Sequence, residues 1–200
     1  MNVYFILLAY FALFTLGLID NSRGPVYPEV LSQFQIFKSQ GSVIFSLSSL
    51  MAFIMTIISK FWLGRWGAVT STKISIVLHF IATILMGIAG KSSSGFPLFV
   101  FASLIFGLGV GIQSISLNMI IANAVSIDKR QKYFAGLHSM YGFASFVAPA
   151  LLSTVYHFEL SWQNYFMLLS IIPLVLFFFS INVKTGGKKI TSDSISPVDK

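Results

Sequence analysis

Six long apolar runs, separated by short polar gaps, constrain this chain more than any other feature of its sequence. A helix needs roughly 20 apolar residues to cross the hydrocarbon core of a bilayer. Backbone groups in lipid must pair within their own segment, and the runs lack the alternation of barrel strands, so we expect helices. The sequence predicts an all-α integral membrane protein whose six-transmembrane-helix bundle occupies residues 1–183. Its predicted spans cover residues 3–31, 41–60, 72–90, 96–125, 133–156 and 162–182.

The composition fits a bilayer protein and not a soluble one. Of 200 residues, 56% are hydrophobic and 10% are charged, whereas about a quarter of a soluble domain is charged. A net charge of +7 would suit nucleic acid, but the basic residues lie in the gaps between apolar runs. That placement fits lipid headgroups. We therefore expect membrane lipids as partners and no nucleic acid.

The basic residues also predict an orientation. All but three of the 13 Lys and Arg residues follow the second, fourth or sixth run, and the exceptions are Arg23, Lys38 and Lys91. Basic residues concentrate on the cytoplasmic side of membrane proteins. We therefore expect a multi-pass protein of the cell membrane with both termini in the cytoplasm. Residues 184–200 are polar and predict a flexible cytoplasmic tail.

The first run ends in a group of polar residues that could carry chemistry. Asp20, Asn21 and Arg23 precede Pro25 and Pro28, and proline tends to kink or end a helix. If the helix continues, Asp20 and Arg23 are neighbours one turn apart at membrane depth, where ionisable groups usually line a cavity. If it stops, they form an exposed ion pair in a polar loop. The residues alone leave both interpretations open.

The fourth run combines small and polar residues. Gly107, Gly109 and Gly111 would let another helix approach closely, which is typical of packing in membranes. Asn118 either hydrogen-bonds a neighbouring helix or faces a water-filled path, and Gln113 points to a different face. Gln113 and Asn118 are nevertheless candidates for a solute or ion pathway.

The fifth run carries His138 and Tyr141 close to one face. A histidine in a membrane helix is a candidate proton relay, although His138 lies near enough to the helix start to sit at the wet interface. Gly142 and Pro149 in the same run are expected to shape the helix and its packing.

Catalysis and metal binding find no support in the sequence. No serine occupies a G-x-S-x-G context, and the six acidic residues share no helix face as a pair. His79 and His157 have no ligand-spaced neighbours, and the absence of cysteine excludes thiolate sites. We expect no enzyme, no metal and no cofactor.

Several short patterns occur in order along the runs. They are the polar stretch from Gly17 to Pro28, Gly64-Arg65-Trp66-Gly67 after the second run, Gly109-Val-Gly111 with Asn118, Leu137-His138 with Gly142 and Pro149, and Leu160-Ser-Trp162 before the sixth. Over roughly residues 3–183 this order resembles the amino-terminal half of a major facilitator superfamily transporter. The branch it resembles most is that of the fucose/proton symporters.

The resemblance implies transport of a small solute by alternating access, with a proton as a candidate coupling ion. The residues it implies for the pathway are Asp20, Asn21, Arg23, Gln113, Asn118, His138 and Tyr141. Gly64, Arg65 and Gly67 would belong to the family's cytoplasmic loop motif.

This sequence departs from the family pattern at four positions. In the loop motif, Gly64 stands where Asp is usual and Ala68 where a basic residue is usual. The acidic residues of fucose-type symporters would fall at Gly24 and Ser114. Asp20 lies one helical turn from Gly24 and is a candidate substitute for the first of these acids.

Family transporters consist of two six-span halves with the substrate site between them, and this chain supplies one half. It could form a homodimer, pair with a second six-helix half, or be a truncated part of a longer protein. The alternative from another class is a non-transporting membrane scaffold or an inactive half-transporter, in which the polar residues serve only helix packing.

Overall fold

The computed structural model describes residues 3–183, and the predicted tail at 184–200 lies outside them. Six helical segments are long and apolar enough to cross a membrane, and the predicted six-helix membrane bundle is confirmed. Helices α2 and α3 make up the second span, and α7 and α8 the sixth. The elements are α1 (Val3–Phe34), α2 (Lys38–Gly41), α3 (Val43–Ile57), α4 (Ser59–Ala89), α5 (Phe96–Ala124), α6 (Arg130–His157), α7 (Trp162–Leu169) and α8 (Ile171–Ile181).

Helix α1 differs most from a simple reading of its sequence, because it continues through Pro25 and Pro28 to Phe34. Its 32 residues span about 48 Å, well beyond the roughly 30 Å of a bilayer core. Prolines are tolerated inside membrane helices when neighbouring helices support the segment. The interpretation of Asp20 and Arg23 as a polar loop is therefore wrong.

Helix α4 begins earlier than the third predicted span because it includes the loop after α3. Its only non-helical residue is Gly67, at φ 73° and ψ 163°. Glycine adopts positive φ without the steric cost that a Cβ brings. Gly67 therefore separates a short helical stretch at the membrane surface from the span that follows.

Helix α5 is the centre of the bundle and packs extensively against α3 and α4, while α1 packs mainly against α6. Small residues bring the backbones together. A Cβ on Gly107 would lie 2.7 Å from Ser48 Cα, and one on Gly111 would lie 2.9 Å from Ala52 Cα. Gly17 fulfils the same role between α1 and α6, where its Cβ would lie 2.8 Å from Ala144 Cβ.

Two apolar clusters fill the two ends of the bundle. One includes the carboxyl-terminal part of α1, and the other includes the amino-terminal part of α1 and apolar residues at the carboxyl-terminal end of α5, from Leu117 to Ala124. Between them, buried polar residues such as Thr15, His79 and Gln113 interrupt the apolar packing.

Candidate functional site

Arg23 lies inside the bundle, with 2% of its side chain exposed. Its Nη2 donates hydrogen bonds to the Ile44 carbonyl oxygen at 3.0 Å and to Ser48 Oγ at 2.9 Å. The guanidinium carbon lies 4.9 Å from the Phe45 ring centroid and 4.7 Å from that of Phe106. Arginine suits such a position because its planar guanidinium group can stack on aromatic rings while its N–H groups donate hydrogen bonds in the plane of the group. Arg23 is therefore not a loop charge, and Lys38 and Lys91 are the basic residues left on that side within residues 3–183.

Asp20 is the acidic partner of this arginine and connects it to α6. Its Oδ1 lies 3.4 Å from Arg23 Nη1, and its Oδ2 accepts a hydrogen bond from the Tyr141 hydroxyl at 2.7 Å. The Asp20 side chain is 37% exposed, unlike the buried arginine. The structure thus joins α3, α1 and α6 through one carboxylate and one guanidinium, and only the carboxylate reaches the surface of the bundle.

Three other predicted pathway residues lie at or near the surface of the bundle. Asn21 is half-buried and its Nδ2 donates to the Gly17 carbonyl oxygen at 2.7 Å. Asn118 is half-buried and its Nδ2 donates to the Ser114 carbonyl oxygen at 2.6 Å. His138 is exposed on α6, one turn before Tyr141. The side-chain amides of Asn21 and Asn118 thus donate within their own helices, and their Oδ1 atoms are left to accept hydrogen bonds.

Gln113 belongs to the helix packing and not to the exposed surface. It is fully buried, its Nε2 donates to the Ala12 carbonyl oxygen at 2.7 Å, and its Oε1 accepts from Ser75 Oγ at 3.0 Å. A buried amide that bridges three helices in this way stabilises a membrane bundle. The expectation that Gln113 lines the pathway finds no support in this geometry.

The residues predicted to serve helix packing differ in how closely their neighbours approach. Gly109 lies against the buried His79, since an added Cβ would come within 2.7 Å of its ring. Gly142, by contrast, is exposed and a Cβ there would meet no described atom within 4 Å. Pro149 is exposed within α6, which continues through it to His157. Close packing thus applies to the glycines of α5 and not to Gly142.

The loop motif lies within the first part of α4, at the point where Gly67 interrupts the helix. Gly64, Arg65 and Gly67 are all exposed. The positive φ of Gly67 explains why a glycine occupies that position. Trp62, next to the motif, is buried and donates from Nε1 to the Met55 carbonyl oxygen at 2.9 Å.

Sequence reasoning missed the residues that complete the Arg23 environment. Ser48 Oγ lies 2.6 Å from the Ile44 carbonyl oxygen and 3.0 Å from that of Ser103, so it fastens α3 to α5. Ser22 Oγ and the Tyr165 hydroxyl, both buried, lie 2.6 Å apart and link α1 to α7. Serines in apolar runs are common, and nothing in their spacing distinguishes these two.

A separate open cavity of about 270 Å³ lies at the end of the bundle where α6 meets α7. Its lining includes Glu29, Tyr156 and Glu159. Glu29 is nine residues beyond Asp20, or about 14 Å along the helix axis. The cavity is therefore distinct from the Asp20 and Arg23 network.

The family model for the Major Facilitator Superfamily matches residues 9–196 of this chain. The chain belongs to the major facilitator superfamily. Members of this superfamily are transporters and not enzymes, in agreement with the lack of catalytic motifs. A curated relative is the Bypass of stop codon protein 6 of Saccharomyces cerevisiae, 25% identical over 177 residues, which are 86% of this chain and 34% of that protein.

Two solved transporters share the fold. The inward-open xylose transporter XylE from E. coli has a TM-score of 0.71 at 20% identity, covering 90% of this chain and 47% of that one. The crystal structure of a D-xylose-proton symporter has a TM-score of 0.58 at 21% identity, covering 90% and 46%. The present chain therefore spans about half the length of these two solved proteins and a third of the curated relative.

Proposed function

We propose that this chain is one half of a transporter that moves a small polar solute across the cell membrane by alternating access. The observation that carries the proposal is the Asp20 carboxylate, which opens to the surface of the bundle while its counter-charge stays buried. An ionisable group at membrane depth is costly and is usually kept for a solute or ion pathway. The xylose transporters that share the fold support a sugar-like solute and proton coupling, and the fucose/proton branch remains a more specific hypothesis.

Asp20 is the group we propose for coupling to a proton. While ionised, it accepts from Tyr141 and pairs with Arg23, so it holds α6 close to α1 and α3. Protonation would remove its charge and weaken both interactions, because hydrogen bonds to an ionised acceptor are roughly twice as strong as neutral ones. Helix α6 would then be released from α1, which is the kind of change that alternating access requires.

The pathway needs a counterpart to enclose it. In the 18-residue apolar stretch of each span, 17% of the residues of the second span and 22% of those of the fifth are buried inside the protein. The corresponding share is 50% in the first, third and fourth spans. The largely uncovered α3 and α6 are therefore the flanks on which we propose that a second six-helix half packs. That half is either a second copy of this chain or another six-helix segment.

Flux into proteoliposomes that contain the full chain tests the proposal, with radiolabelled D-xylose and an inward proton gradient. Asp20→Asn should abolish accumulation driven by the gradient while leaving exchange of labelled for unlabelled solute, because the variant cannot take up a proton. Asn118→Ala should raise the apparent KM about two- to tenfold, the effect of one lost hydrogen bond.

Matched controls are available in the chain. Asp128→Asn and Asn123→Ala change the same residue types at exposed positions near the end of α5 and should leave flux unchanged. Wild-type flux that survives both Asp20→Asn and Asn118→Ala intact would remove these residues from the pathway. If sizing in detergent shows a homodimer and that wild-type homodimer moves no solute, the scaffold alternative is favoured.

A further inference from the structure

Helix α1 contains two backbone carbonyl groups that lack their usual hydrogen-bond donor four residues later in the helix. In an α-helix each carbonyl accepts from the N–H four residues later. Pro25 and Pro28 have no N–H, so the carbonyl groups of Asn21 and Gly24 lose that donor. Both lie within the same two helical turns as Asp20.

These carbonyl groups lie on the open side of α1. Gly24, Pro25 and Pro28 are exposed, whereas Ser22 and Val26 between them are buried. An added Cβ on Gly24 would meet no described atom within 4 Å, so α1 is open at this residue. Asp20 and Gly24 are one turn apart, so the carboxylate and the carbonyl groups share one stripe of the helix.

This stripe cannot face lipid, because an unpaired carbonyl in hydrocarbon costs several kcal/mol by the general scale for membranes. Water or a polar ligand must supply donors to it. Asn21 contributes a further acceptor, since its amide nitrogen already donates to the Gly17 carbonyl oxygen. We name Asp20, Asn21 and Gly24 the acceptor stripe.

The charges beside the acceptor stripe select the kind of ligand. Arg23 donates from Nη1 and Nη2 to Asp20, Ile44 and Ser48 and is enclosed by two phenylalanine rings. Its Nε has no partner among the described residues but is buried, so an anion on the open side of α1 cannot reach it. The positive charge of Arg23 balances that of Asp20, so a cation gains little net attraction. A neutral molecule with several hydroxyl groups can donate to every member of the stripe.

We propose that the main-chain carbonyl groups of Asn21 and Gly24, exposed by Pro25 and Pro28, form with the Asp20 carboxylate a binding subsite for a neutral polyhydroxylated solute. The proposal rests on the function proposed above and assigns it a solute class. It also gives the two prolines a role in binding, as residues that keep acceptors free.

Equilibrium binding of radiolabelled D-xylose to the full chain in nanodiscs tests the subsite. Pro25→Ala and Pro28→Ala each restore an N–H that can pair with the carbonyl group, so each should weaken binding severalfold and the double variant about tenfold or more. Pro97→Ala is the matched control, since Pro97 lies in the first turn of α5, where an N–H has no helical acceptor. Xylitol should compete with D-xylose, while choline and lactate should not.

Infrared spectroscopy provides a measurement that leaves the helix unchanged. With the glycine carbonyl carbons labelled as ¹³C, D-xylose should shift a carbonyl band in the wild type. That shift should be missing in Gly24→Ala, where the space for a Cβ is open and the labelled carbonyl is lost.

The outcomes separate the two proposals. Unchanged affinity in the double proline variant, or an infrared shift that persists in Gly24→Ala, would overturn the subsite while xylose binding and flux uphold the transporter. Tighter binding of choline or lactate than of any polyol would overturn the solute class. A wild-type homodimer that moves no solute in the flux assay would instead overturn the function on which the subsite depends.

Discussion

At the scale of single residues, the arrangement of Arg23 shows how a membrane protein keeps a cation in its interior. Taking a charge out of water is costly and is offset only when the geometry supplies partners. Arg23 has an acidic neighbour one turn away, two oxygen acceptors on α3, and two aromatic rings. We propose that Arg23 holds Asp20 in place and does not itself contact solute.

Replacing this arginine by lysine should therefore be costly. Arg23→Lys keeps the charge but loses the fork that reaches Ile44, Ser48 and Asp20 together, and we expect the chain to lose about 1–3 kcal/mol of stability. Thermal unfolding in detergent micelles measures the loss. Arg65→Lys, at an exposed position, should be neutral, and equal stability of the two variants would contradict the assignment.

At the scale of elements, the glycines of α5 decide how closely α3 can approach. Ser48 lies beside Gly107, and it is this approach that lets its hydroxyl reach both Arg23 and the Ser103 carbonyl oxygen. Close helix packing and the charged network are thus coupled. A larger residue on α5 would push away the helix that supplies two of the arginine's acceptors.

Alanine substitutions at two glycines, one closely packed and one open, should change the stability of the chain in opposite directions. Gly111→Ala places a Cβ within 2.7 Å of Met55 Cβ, and overpacking of this kind typically costs about 1–3 kcal/mol. Gly142→Ala meets open space and should stabilise α6 by up to about 1 kcal/mol through helix propensity. Unfolding of both variants under the same conditions compares them, and a stabilised Gly111→Ala would refute close packing there.

At the scale of the whole molecule, the alternation of the spans fixes which loops share a side of the membrane. The connections α3–α4 and α5–α6 lie on one side, together with the end of α8, while α1–α3, α4–α5 and α6–α7 lie on the other. With Arg23 buried, Lys38 and Lys91 are the basic residues left in the second set within residues 3–183. The bias behind the proposed orientation is therefore stronger than the sequence suggested.

Single cysteines test this orientation cleanly, because the natural chain contains none. Ser94→Cys in the exposed α4–α5 connection should react with a membrane-impermeant maleimide on intact cells. Asp128→Cys in the α5–α6 connection, also exposed, should react only after the membrane is permeabilised. The reverse labelling pattern would place both termini outside the cytoplasm.

The sequence by itself determined the spans, because 18 or more apolar residues have no stable place in water and form helices in lipid whatever their neighbours are. It also made Asp20 and Arg23 neighbours on condition that the first helix continued, since residues three apart on a helix are adjacent. The loop motif and the polar residues of α6 could be recognised from local patterns in the same way.

Only the tertiary structure decided what these residues face. Whether α1 continued through Pro25 and Pro28 depended on support from other helices, and the partners of Arg23 come from Ile44, Ser48 and Phe106, which are distant in the chain. Gln113 and Asn118 are alike as polar residues in one apolar run, yet one is buried and the other half-exposed. The direction of a side chain follows from which helices pack around it, and that arrangement is not a local property of the sequence.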